Sequence, residues 1–287
     1  MIKKIGYILG RRIQGNIGPL QTDPLSQLPG KIMAPCVNIT GTEQDIYAVS
    51  AIQNYALGSR MVVDERTFRY CRAGGALQAI TSTRRLHIAA DLCLAINDRL
   101  ATAISAIGAT TVTVAIAGFG AVALNELVGG WIEIWRVGGG FQHRRIVGNT
   151  FSAGVADVTV TLEHGLEFAV AVGDQLTLQR NIYRNVQDPV AAGLVGFQTA
   201  VCLPPMWVPI NNFFWGQTYG PCFVDPSFNW PGADANFRDV YFWQNGCTIS
   251  LAQAILVAGL NNSFQRVGYA IPAGNYGTGM IMLQLAP

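Results

Sequence analysis

Gly130-Trp131-Ile132-Glu133-Ile134-Trp135, Gln142-His143-Arg144-Arg145-Ile146-Val147, Val158-Thr159-Val160-Thr161-Leu162 and Asp174-Gln175-Leu176-Thr177-Leu178 are the four runs whose reading decides the fold. β-Branched or aromatic residues alternate with polar ones in each, the period-two pattern of a strand with one buried face. Val137-Gly138-Gly139-Gly140, Gly148-Asn149-Thr150, and Gly165 with Gly173 break the runs where turns are needed. Short strands at this spacing predict an antiparallel unit of sandwich or barrel type. Nothing in the four runs has the spacing of a catalytic motif, so they are read as scaffold.

Outward from that unit, composition limits what the scaffold is for. Charged residues make up 13% of the 287-residue chain and apolar residues 50%, against roughly 25% charged in ordinary soluble domains. A lone protomer needs charge to stay dispersed, so this balance implies a surface covered by other protein, as in an obligate oligomer or larger assembly. The net charge of +2 gives no electrostatic case for direct nucleic-acid binding. The six cysteines, Cys36, Cys71, Cys93, Cys202, Cys222 and Cys247, include no CxxC pair for zinc and are too sparse for a disulfide-stapled secreted scaffold. They are read as buried thiols of a protein made in a reducing cytoplasm.

Two stretches imitate membrane segments. The apolar run after Lys3 and Lys4 is broken by Gly6 and Gly10 and stopped by Arg11 and Arg12, short of a signal-peptide core. Ala101 to Leu124 carries no charge, yet Thr110 to Ile116 alternates and Gly108, Gly118 and Gly120 interrupt any helix, so no membrane span is expected.

Four segments follow along the chain. Residues 1–45 read as an extended N-terminal arm, because Pro19, Pro24, Pro29 and Pro35 forbid a long helix. Its apolar residues, Ile5 and Ile8 among them, with Arg11 and Arg12, suit a strap lying on a neighbouring subunit, since a solvated tail seldom carries so many apolar side chains. Residues 46–125 open with a hairpin, Arg60 to Val63 against Thr67 to Cys71, with Met61 and Val63 on one face and Phe68 and Tyr70 on one face of the partner. Arg60, Arg66, Arg69 and Arg72 crowd that hairpin as strand-edge charges, or as a site for a phosphate or acidic neighbour. Leu92, Ile96, Leu100 and Ile104 fall four apart and predict one short amphipathic helix within Leu86 to Ile104. Residues 126–182 hold the antiparallel unit, and residues 183–287 form a C-terminal β region with aromatic-rich loops. The fold class is therefore all-β, mainly antiparallel sandwich or barrel, with one short helix and the arm.

Several phrases, taken in order, carry a resemblance: Tyr55-Ala56-Leu57-Gly58-Ser59-Arg60 with Phe68-Arg69-Tyr70-Cys71-Arg72-Ala73-Gly74; Gly130-Trp131-Ile132 before His143-Arg144-Arg145-Ile146; Val160-Thr161-Leu162; Leu176-Thr177-Leu178-Gln179-Arg180-Asn181; Phe214-Trp215-Gly216-Gln217-Thr218-Tyr219-Gly220-Pro221; and Val267-Gly268-Tyr269-Ala270. Over residues 45–285 the chain resembles tailed-bacteriophage virion structural proteins of the capsid decoration (cement) or head-fibre type. The resemblance implies a β-rich homotrimer on the exterior of an icosahedral shell, bound to the major capsid protein. It supplies no catalytic residues. The aromatic-rich segment from Phe228 to Trp243 departs from the family's pattern.

Chemistry is weakly signalled. His87, His143 and His164 come without a GxSxG elbow, and His143 with His164 and Glu163 or Glu167 lacks the short-range pair that fixes a metal site. Gly138-Gly139-Gly140 precedes a strand and so makes no phosphate cradle. Glu133, Asp157, Glu163, Glu167 and Asp174 offer carboxylate pairs whose separation sequence does not give. No enzyme, metal or cofactor is expected. Phe213, Trp215 and Tyr219 are assigned to an oligomer interface, buried because both faces of their strand are apolar. If exposed instead, they would stack on a surface glycan, which makes a glycan-binding head-fibre or tail-associated adhesion module the alternative.

Overall fold

The computed structural model describes residues 37–75, 77, 89–91, 96–187, 199–224, 238–242, 248–250, 265–271 and 280–286. The N-terminal part contributes β1 (Asn38–Thr40), β2 (Val49–Ser50), β3 (Arg60–Val63), β4 (Arg66–Arg72) and β5 (Ala89–Asp91). The middle contributes β6 (Ile96–Leu100), β7 (Thr111–Val114), β8 (Trp131–Trp135), β9 (Phe141–Asn149), β10 (Val158–Leu162), β11 (Gln175–Gln179) and β12 (Val186–Gln187). The C-terminal part contributes β13 (Thr199–Cys202), β14 (Phe213–Phe223), β15 (Asp239–Phe242), β16 (Thr248–Ser250), β17 (Arg266–Ala270) and β18 (Met280–Gln284). The chain is all-β, as its alternation predicts.

The middle strands form a six-stranded sheet in the order β6-β11-β8-β9-β10-β7. Its two edges meet: Ala101 bridges Val114, Ala115 N–H donates to Leu100 O at 3.0 Å, and Thr102 N–H donates to Thr113 O at 3.2 Å. This seam closes the sheet into a barrel. Ile132 and Ile134, Val158 and Val160, Leu176 and Leu178, Val112 and Val114, and Ile96 and Ile146 fill the interior. Their strand neighbours point outward, as a period of two requires.

The expected helix is absent where the structure describes it. Ile96–Leu100 is strand β6, paired with β11, and Leu86 and Leu92 lie outside the described residues. A spacing of four fits strands as well as helices, and the vacant edge of β11 supplied the backbone partners. The register shifts between Leu176 and Leu178 opposite Asp98, whose φ is +52°. That bulge reverses the facing of the strand, so Ile96 is buried while Leu100 is exposed.

Strands from both ends of the chain share a second, nine-stranded sheet, ordered β1-β3-β4-β14-β18-β17-β15-β16 with β2 also on β14. The β3–β4 hairpin closes through Asp64-Glu65, with Val63 opposite Arg66 and Asp64 at φ +51°. Met61, Val63, Phe68 and Tyr70 are all buried, as their alternation predicts. A third sheet runs β12-β5-β13.

Segment boundaries differ from the sequence division. Residues 38–40 lie in the large sheet as β1, parallel to β3, not in an arm. Strands β6 and β7 belong with the antiparallel unit, and the barrel of residues 96–179 is inserted between β4 and β14, which pair with one another. Among the described residues no helix is long and apolar enough to cross a membrane.

Candidate functional site

Phe213 and Trp215, assigned from sequence to a subunit interface, are covered by the chain itself. They pack with Ile46, Leu57, Met61, Phe68 and Tyr70 in one core cluster on the large sheet. Phe214, one residue on, faces the opposite cluster with Cys71, Val201 and Cys202. Strand β14 is therefore sandwiched on both faces within one protomer. This corrects the assignment: side chains consumed in the protomer's own core have no face left for a second subunit or a sugar. Tyr219 is half-buried, opposite Gln284 of β18. The arm residues Ile5, Ile8, Arg11 and Arg12 lie outside the described residues, as do His87, Cys36, Cys93, Cys247 and residues 228–237.

Apart from Glu133 and His143, which are register partners across β8 and β9, the groups considered for catalysis are dispersed. His143 and His164 are exposed. Asp174 is buried and accepts backbone N–H bonds from Val137 at 3.0 Å and Ala171 at 2.9 Å, a structural task. Asp157 accepts from the Thr102 hydroxyl at 2.6 Å, and Glu167 pairs with Arg144 at 3.4 Å. Among the described residues no three His, Cys, Asp or Glu side chains are grouped to hold a metal ion. Burial raises the thiols of Cys71 and Cys222, the latter to about 12, which suppresses the thiolate that nucleophilic chemistry requires. Three of the four hairpin arginines have local partners: Arg66 pairs with Glu43, Arg69 reaches Gly58 O at 3.3 Å, and Arg72 reaches Asn211 Oδ1 at 2.8 Å.

Two features of the barrel surface stand out instead. The first is its outer face along β11, β8 and β9. Registry sets Gln175, Trp135 and Phe141 in one row, Thr177, Glu133 and His143 in the next, and Gln179, Trp131 and Arg145 in the third. The rings form an unbroken chain, with centroids 5.6 Å apart for Trp131 and His143, 6.0 Å for His143 and Phe141, and 5.3 Å for Phe141 and Trp135. Trp131 is 45% exposed, Trp135 58% and Phe141 48%. A shallow groove of about 240 Å³ runs between Trp131, Glu133, Phe141 and His143.

The second is the end of the barrel where the β6–β7, β8–β9 and β10–β11 connections meet. Ser105 and Val170 bridge two of them, and the Val137 N–H bond to Asp174 ties in the third. Ile104 is 77% exposed there and Val137 81%, with Ile107 and Val172 also largely exposed.

Neither feature stands out in the sequence. Trp131 and Trp135 alternate with isoleucines, so both sides of β8 look apolar. The one local clue is Glu133, which lies in the tryptophan row and marks it as the wetted side. Comparison with known proteins finds no match: no family model fits the chain, and neither a curated protein nor a solved structure is significantly similar to it.

Proposed function

We propose that the chain is a non-enzymatic virion structural protein that decorates and stabilises a phage capsid as an oligomer. The barrel end that presents Ile104, Ile107, Val137 and Val172 is the observation that supports association. Uncharged side chains of this size left in water at one end of a closed barrel gain by being covered. Stable interfaces bury roughly 800 Å² per partner, and this end with the exposed Leu100 beside it supplies a substantial part of that. The low charge content points the same way. The phage assignment rests on the ordered phrases from Tyr55 to Ala270, with a trimer on the capsid exterior and the major capsid protein as partner. The N-terminal arm read from the sequence, with Ile5, Ile8, Arg11 and Arg12, is the proposed strap to neighbouring subunits.

The test combines the solution mass of the protein with its binding to undecorated shells of the phage that encodes it. A stable oligomer that saturates the shells is expected. Ile104→Asp combined with Val137→Asp should yield folded monomers with reduced occupancy. A wild-type monomer without affinity for shells overturns the proposal.

A further inference from the structure

We infer that the outer face of the barrel, from Trp131 across Glu133 and His143 to Phe141 and Trp135, is a binding site for a neutral pyranose oligosaccharide. A pyranose ring offers apolar C–H faces and hydroxyl edges, and it is held by flat rings with hydrogen-bonding groups beside them. The face provides both. Its rings are contiguous and about half exposed, and Glu133 lines the groove between them. Gln175, Thr177 and Gln179 flank the tryptophan row on β11. Trp131 and Trp135 are four positions apart on one strand, roughly 13 Å, a span suited to several linked sugars rather than one. Three paired strands fix the spacing, so little ordering is required when a ligand binds.

Two other occupants fit less well. Single-stranded nucleic acid also stacks on exposed rings but needs a cationic track for its phosphates, and here the acidic Glu133 holds the middle row, with Arg145 the single cation in the three rows. A second protein needs roughly 800 Å² per partner, whereas three half-exposed rings offer on the order of 300 Å².

The assignment stands independently of the assembly proposal, and its test reads both. The full-length protein is titrated calorimetrically with cellohexaose and with chitohexaose, which share a flat β-linked backbone. Saturable binding to at least one is expected. Trp131→Ala and Trp135→Ala should each weaken it about tenfold, Trp135→Phe should retain most of it, and the solution mass and thermal midpoint should not change. The proposal is overturned by absence of saturable binding to both hexasaccharides, or by unchanged affinity in the folded Trp131→Ala/Trp135→Ala variant. It is equally overturned if that variant loses oligomeric mass with sugar affinity intact, or if oligothymidylate binds the face and neither sugar does.

Discussion

The rings of Tyr70 and Trp215 meet with centroids 4.9 Å apart, joining a strand from the N-terminal hairpin to the long central strand of the C-terminal half. Tyr55 lies 5.2 Å from each, and Phe213 stacks on Tyr70 at 5.9 Å with the planes 8° apart. The cluster fastens the two ends of the chain to one another across the inserted barrel. Trp215→Ala should therefore cost about 3–5 kcal/mol. Urea denaturation would check it, and a loss under about 1 kcal/mol would mean that the cluster contributes little to the core.

Tyr70 makes the same cluster sensitive to alkali. Burial, the main cause, pushes its phenol up to about 12, against the Asn54 N–H, which donates to its oxygen at 3.1 Å and pulls the other way. An unfolded tyrosine ionises near about 10. The folded form holds the proton more tightly, so its contribution is complete below about pH 10 and is lost as pH rises towards about 12, on the order of 2 kcal/mol in all. Burial raises Cys222 to about 12 as well, so the decline should begin near about pH 9. Thermal midpoints across this range should fall less steeply for Tyr70→Phe than for the wild type; identical slopes would contradict the burial argument.

Asn149 is a buried polar residue with matched partners. Its Nδ2 donates to Ala123 O at 2.9 Å and Thr150 O at 2.8 Å, and its Oδ1 accepts from Leu127 N–H at 2.8 Å. Asn149→Ala leaves a buried N–H and two carbonyls without these bonds, and a loss of about 2–3 kcal/mol is expected. Asn149→Asp should be worse, since a carboxylate would face the two carbonyls. Chemical denaturation of both variants gives the order directly.

Gly216 lies where β14 passes closest to the thiols. A Cβ there would sit 2.5 Å from Cys202 Sγ, 2.7 Å from Cys202 Cβ and 3.3 Å from Cys71 Sγ. Gly216→Ala should destabilise by about 1–3 kcal/mol through overpacking. Cys202→Ala in the same chain should restore only part of that, because the Cβ contact remains. Full restoration would show that the sulfur alone sets the limit.

The bulge at Asp98 gives a test of the strand that replaced the expected helix. At φ +52° a β-branched residue is strained, so Asp98→Val should cost about 1–2 kcal/mol, while Asp98→Gly should cost nothing. In a helix the glycine would be the more damaging of the two. The order of the two denaturation midpoints decides between them.

What the sequence determined by itself is the local alternation. Strands β8 to β11, the β3–β4 hairpin and the inward set Ile132, Ile134, Val160 and Leu176 follow from a period of two, which neighbouring residues impose on one another. Tertiary structure decided the rest, because it depends on partners distant in the chain. Leu100 and Ile104 looked helical until β11 offered an edge for β6. Phe213 with Trp215 and Trp131 with Trp135 show the same alternating pattern, yet the first pair is buried and the second wetted. Strand β14 has side chains packed on both faces, whereas β8 faces a filled barrel on one side and solvent on the other. Burial belongs to the pairing of distant strands, and a strand's own residues do not say what will lie against them.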